Sequence, residues 1–137
     1  KYRKTLEDIC AKEIWLRLSE YWVAESKNRF SARIKKMVDY IRQNYKKDIS
    51  RRDLSKKFNL APEYINYIFK NETGMTPTEF IRILKIREGY RLIQEESMSI
   101  KEAAHLTGFC DEFYFSRIFK RIMKFPPSRI CIKTGRR

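Results

Sequence analysis

A short pattern occurs twice in this 137-residue chain. Tyr64-Ile-Asn-Tyr-Ile-Phe-Lys70 is echoed by Tyr114-Phe-Ser-Arg-Ile-Phe-Lys120, with Tyr, Ile, Phe and Lys at matching places fifty residues apart. Pro77-Thr78 and Pro127-Ser128 keep the same offset. Upstream, Leu54-Ser55 matches Ala103-Ala104 and Leu60 matches Phe109 at an offset of forty-nine, so one extra residue lies in the second turn. Each copy reads as a short helix, a tight turn and a longer helix with basic and polar residues outside, which is the helix-turn-helix plan. Ser55 and Ala104 are small enough for two helices to cross closely. One such pair could occur in any all-α protein, but two in a chain of net charge +14 constrain it much further.

Apolar residues recur at helical spacing almost throughout, and no strand-like alternation persists. A first helix is predicted over 4–25. Its apolar arc covers more than half the circumference, where a surface helix needs a stripe of roughly 100°. It either packs on the rest of the chain or meets a second subunit or another domain. Further helices are predicted over 32–45, within 49–59, and over 62–72, 77–95, 100–107 and 112–123, with a last short turn from Pro126-Pro127. Ser50, Thr76, Ser99 and Asp111 are the caps, with acidic partners three residues on at Asp53, Glu79 and Glu102. Pro62 and Pro77 suit first turns, and Gly74 a C-terminus. The predicted fold is all-α. An extra amphipathic N-terminal helix and linker (1–31) precedes a first helix-turn-helix subdomain (32–76), a long linker helix (77–95) and a second subdomain (96–137).

The rare residues exclude most enzyme chemistry. There is one histidine, His105, and no nucleophile has a sequence-visible base. Cys10, Cys110 and Cys131 are scattered, without the paired spacing of a zinc site, and read as reduced thiols of a cytosolic protein. The four glycines form no phosphate-cradling loop. No metal or cofactor is expected. No apolar run is long enough to span a membrane. A pI near 9.9 favours a polyanionic partner, nucleic acid before an acidic membrane surface. A membrane binder would instead carry one long basic amphipathic helix.

Residues from about 34 to 131 resemble the C-terminal DNA-binding domain of the AraC/XylS family of bacterial transcription regulators. The resemblance rests on Phe69-Lys-Asn-Glu-Thr-Gly-Met-Thr-Pro77, Ser99-Ile-Lys-Glu-Ala-Ala104, Gly108-Phe-Cys-Asp111, Tyr114-Phe-Ser-Arg-Ile-Phe-Lys120 and Pro127-Ser128. It implies two recognition helices entering successive major-groove segments on one side of a duplex. A linker of about eighteen residues is roughly 27 Å long, which suits a spacing of about one DNA turn, ~34 Å. Four positions depart from the family pattern. Lys124 stands where the second copy usually has the glycine seen at Gly74. Ile130-Cys131 replaces a common Tyr-Arg pair. Gly89 takes the place of an alanine-like residue, costs about 1 kcal/mol of helix propensity, and is expected to loosen the coupling between the halves.

The candidate base contacts are Glu63, Asn66 and Tyr67 in the first recognition helix and Glu112, Phe113, Ser116 and Arg117 in the second. Arg117 fits the guanine O6/N7 edge, Asn66 pairs with adenine, and Glu63 accepts from the cytosine amino group. Tyr67 and Phe113 suit thymine methyls. Phosphate contacts are expected from Ser50, Arg51, Arg52, Pro62, Lys70, Thr76, Thr78, Lys101, Lys120, Arg121 and Lys124. Any one basic residue of this kind is more often a solvated charge, but as a set they should give a steep salt dependence.

The sequence therefore points to a sequence-specific double-stranded-DNA-binding transcription regulator, an activator by family resemblance. The alternative is a non-specific nucleic-acid-binding or RNA-binding basic helical module, although no strand-borne aromatic platform or G-x-x-G clamp is visible. Its expected partners are DNA, RNA polymerase, and a second copy through residues 4–25 or a preceding N-terminal domain. The abrupt start at Lys1 reads as the C-terminal part of a longer, cytoplasmic regulator, nucleoid-associated when bound to DNA.

Overall fold

The computed structural model describes residues 29–133. The amphipathic helix expected over 4–25, with its dimer contact, and the tail 134–137 lie outside the described residues. Seven helices are described: α1 (Ala32–Asn44), α2 (Arg51–Phe58), α3 (Pro62–Thr73), α4 (Pro77–Gln94), α5 (Ile100–Leu106), α6 (Glu112–Met123) and α7 (Ser128–Lys133). The described residues contain no strand.

Local signals set the helix boundaries. Ser50, Thr76 and Ser99 each accept from the N–H three residues on, while Asp53, Glu79 and Glu102 accept the cap N–H in return. Two orphan donors are thus satisfied at each start. Ser31 caps α1, and its N–H and hydroxyl both donate to Glu72 of α3 at 2.9 Å. Asp111 accepts from the Tyr114 N–H at 2.7 Å and starts α6.

The repeat is structural as well as sequential. Asn59 and Gly108 both take left-handed backbone conformations, and the next residue's N–H reaches back in each copy, Leu60 to the Ser55 carbonyl and Phe109 to the Ala104 carbonyl. Ala61 and Asp111 then occupy equivalent cap positions. The extra residue of the second turn is therefore Cys110. Downstream, α3 ends on Gly74 and α6 on Lys124, both left-handed and each donating to a carbonyl four residues back. Helix α6 thus ends on the same hydrogen-bonded left-handed cap as α3, although it lacks the glycine.

Two hydrophobic clusters form the core. The first joins Ile34, Met37, Val38 and Ile41 of α1, Leu54 of α2, Ile65 and Phe69 of α3, and Phe80, Ile81 and Leu84 of α4. The second joins Ile86, Leu92 and Ile93 of α4 to Ala103, Ala104, Phe109, Phe115, Ile118, Phe119, Met123, Phe125 and Ile130. Its aromatic rings interlock, Phe109 on Phe115 at 5.2 Å, Phe115 on Phe119 at 5.7 Å and Phe119 on Phe125 at 5.5 Å. The linker helix is thus a wall of both cores, and burial of its apolar side chains on two sides stabilises it. No helix among the described residues is long and apolar enough to cross a membrane.

Candidate nucleic-acid interface

Helices α3 and α6 each bury one side and present the other. In α3, Ile65 and Phe69 are fully buried, while Ile68 is only half-buried. That leaves Glu63 and Lys70 exposed, and Tyr67 66% exposed. In α6, Phe115, Ile118 and Phe119 are buried, and Arg117, Lys120 and Arg121 are exposed. Phe113 is 75% exposed, an unusual position for a phenyl ring, and nothing among the described residues covers it. Pro62, Asn66, Glu112 and Ser116 are half-buried rather than on the open face. The amide oxygen of Asn66 is buried without a hydrogen-bond partner. Pairing with both adenine edge atoms requires that side chain to swing outward.

The helix N-termini are not equivalent anion sites. At Ser50 and Thr76 the N–H groups donate to Asp53 and Glu79 at 2.7 and 2.9 Å. The Ser50 hydroxyl donates to Asp53 as well, and these bonds hold that carboxyl below the usual range. A phosphate at either start meets a carboxylate already in place. By contrast, α3 begins at Ala61 without a side-chain cap, with Pro62 in its first turn. Its first-turn donors face no competing carboxylate cap. Around the helix starts, Arg51, Arg52, Thr78 and Lys101 are exposed and Thr76 is half-buried, and Lys124 is exposed at the C-terminus of α6.

Between α4 and α6 runs a cleft of about 230 Å³, lined by Met75, Glu79, Arg82, Ile83, Ile118, Arg121 and Ile122. Arg82 reaches across it, its Nη2 3.5 Å from the Tyr114 hydroxyl of α6. Sequence reasoning missed Arg82. Because α4 is apolar on two sides, its periodicity does not reveal which polar residue faces α6. Tyr114, matched in the repeat, is half-buried against Phe109, whereas its counterpart Tyr64 is 44% exposed. Among the described residues no cluster of three or more His, Cys, Asp or Glu could hold a metal. His105 and Cys110 are exposed and take no part in the two faces.

A family model described as a helix-turn-helix domain matches residues 54–131. The HTH-type transcriptional activator Btr of Bacillus subtilis is 38% identical over 85 residues, 62% of this chain and 16% of Btr. The chain spans less than half the length of the curated relatives it matches, which are regulatory proteins by name. Among solved structures, the C-terminal domain of AraT, a response regulator from Geobacillus stearothermophilus, superposes with a TM-score of 0.73. The match covers 77% of this chain and 88% of that one at 21% identity. The DNA-binding domain of the global transcriptional factor AdpA, solved with a target DNA, gives 0.69 at 18% identity, covering 78% and 97%. The chain belongs to the AraC/XylS family of helix-turn-helix transcription regulators.

Proposed function

We propose that this chain binds double-stranded DNA sequence-specifically and acts in transcription as an activator, with α3 and α6 reading successive major-groove segments. The observation that carries the reading is the duplication. Two helix-turn-helix units share α4 as a wall, and each turns a partly polar, uncovered helix face outward. A helix of eighteen residues, roughly 27 Å at ~1.5 Å per residue, separates the units on the scale of one DNA turn. Glu63 and Glu112 favour readout over bare phosphate gripping. A carboxylate in a groove is tolerated only where a base donor, such as the cytosine amino group, meets it. Arg117, Asn66, Tyr67, Phe113 and Ser116 complete the base-reading set. Lys70, Lys120, Arg121, Lys124, Arg51, Arg52 and Lys101 would hold phosphates. The DNA complex of the AdpA domain and the activator role of Btr support the assignment by similarity. RNA polymerase is the partner that activation requires, and a second copy of the chain is a further one.

The test is selection of random duplex DNA against this chain at moderate salt. Two short motifs about one helical turn apart are the expected outcome. Retention that decays evenly with salt and enriches no sequence would leave a basic helical module that grips phosphates without reading bases.

A further inference from the structure

On α4, Leu84 belongs to the first core and Ile86 to the second; the residue between them is Lys85. A lysine at that seam is only 9% exposed. Burial pulls its pKa down, and the charge of Asp48 on the α1–α2 connection pulls it back up. Its Nζ lies 3.4 Å from the Gly108 carbonyl oxygen and 5.6 Å from the centre of the Phe109 ring. Gly108 is left-handed, and a Cβ there would run into the Lys46 carbonyl oxygen. The connection after α1, the middle of α4 and the turn before α6 thus converge on one point. Phe109 carries the contact onward, its ring 5.8 Å from Tyr114 and 5.2 Å from Phe115 of α6. A second tether lies one turn along α4, where Lys46 approaches Glu88 at 3.6 Å.

We infer that Lys85 is a positioning residue that fixes the second recognition helix relative to the first, and so sets the half-site spacing the chain accepts. The inference rests on the two-helix reading above. The two hydrophobic clusters share no residue, and Lys85 stands between them where the connection after α1 meets the turn before α6, so this seam joins α5–α7 to the first unit directly as well as through α4. Each base pair of spacing moves a half-site by about 3.4 Å and turns it by about 35°. A rigid seam rejects such a change; a loose one follows it. Methionine has nearly the length and volume of the lysine stem, so it preserves packing and removes the ammonium's directional hold.

The experiment offers the chain duplexes carrying its two selected motifs with the spacer changed by one base pair either way. Wild type and Lys85→Arg are expected to disfavour the altered spacers about tenfold, and Lys85→Met by less than about threefold. Residual dipolar couplings of the free chain supply the second readout. Wild type should fit one alignment tensor, whereas Lys85→Met should need separate tensors for α1–α3 and α5–α7. A Lys85→Met protein with the wild-type spacing preference and a single tensor overturns the inference while leaving the two-helix reading intact. A wild type that selects no paired motif overturns that reading and the spacing claim with it; the tensors then still decide whether Lys85 holds the two units. Lys85→Gln carries the same comparison if Lys85→Met melts far below wild type.

Discussion

The ring of Phe115 occupies the space that a side chain on Gly89 would need. An ideal Cβ at Gly89 would sit 2.6 Å from Cε2 and 2.7 Å from Cζ of that ring. Phe115 is fully buried and held between Phe109 and Phe119, so the ring has little room to retreat. Gly89 therefore lets α6 close against α4. It tightens the joint between linker and second unit, the reverse of the loosening expected from its helix propensity.

Gly89→Ala should accordingly destabilise the chain. Alanine regains about 1 kcal/mol of helix propensity, but overpacking a filled core costs about 1–3 kcal/mol. Urea unfolding should show a lower midpoint with an unchanged slope. Adding Phe115→Leu should cost less than the sum of the two single changes, because it empties the contested space. A midpoint at or above wild type for Gly89→Ala would mean that the ring yields freely.

The helix plan was legible because its signals are local. Ser50, Thr76, Ser99 and Asp111 cap helices as their side chains dictate. The offset between the copies even located the extra turn residue, now seen at Cys110. Tertiary relationships were not legible. A missing Cβ reads as helix weakness until Phe115 is placed beside it, and Lys85 reads as one more solvated cation until both cores are drawn. Half-burial of Asn66 and Ser116 likewise depends on neighbours that periodicity does not name.

Gly74 and Lys124 end equivalent helices with φ of 84° and 68°. The left-handed conformation costs a residue bearing a Cβ about 1–2 kcal/mol, part of which glycine's greater freedom in the unfolded chain offsets. Lys124→Gly should raise stability by about 0.5–1 kcal/mol, and Gly74→Ala should lower it by about 1 kcal/mol. A Cβ at Gly74 would meet nothing within 4 Å, so backbone strain alone decides that result. Thermal melts would check both. Equal melting of Lys124→Gly and wild type would show that the lysine contributes a compensating contact.

Glu88 ties α4 to its surroundings. Arg91 donates to both its oxygens, at 3.0 and 2.8 Å, and Lys46 lies 3.6 Å away. The hydrogen bonds from Arg91 come first among the causes holding this carboxyl below its usual range. A carboxyl depressed by folding adds stability above its unfolded pKa of about 4.3. That contribution disappears as pH falls through the lower folded value. Melting temperature should fall from about pH 5 to about pH 3, and Glu88→Gln should lose less over the same interval. Parallel curves would remove Glu88 from the acid response.

Arg117 and Lys120 stand one turn apart on the exposed side of α6, and the proposed function gives them separable roles. A guanidinium on a guanine edge discriminates among bases, so Arg117→Ala should cost about 1–3 kcal/mol on the selected site and relax one base position. Its binding to unrelated duplexes should change far less. An ammonium on a phosphate carries no sequence information. Lys120→Ala should therefore weaken all duplexes alike and reduce the log–log salt slope by about 0.9. Titrations of the two variants at several salt concentrations, on the selected duplex and a scrambled one, distinguish the roles. If Arg117→Ala also lowers both affinities evenly, α6 is gripping the backbone there and base readout must come from elsewhere on its face, Ser116 or Phe113 before Arg117.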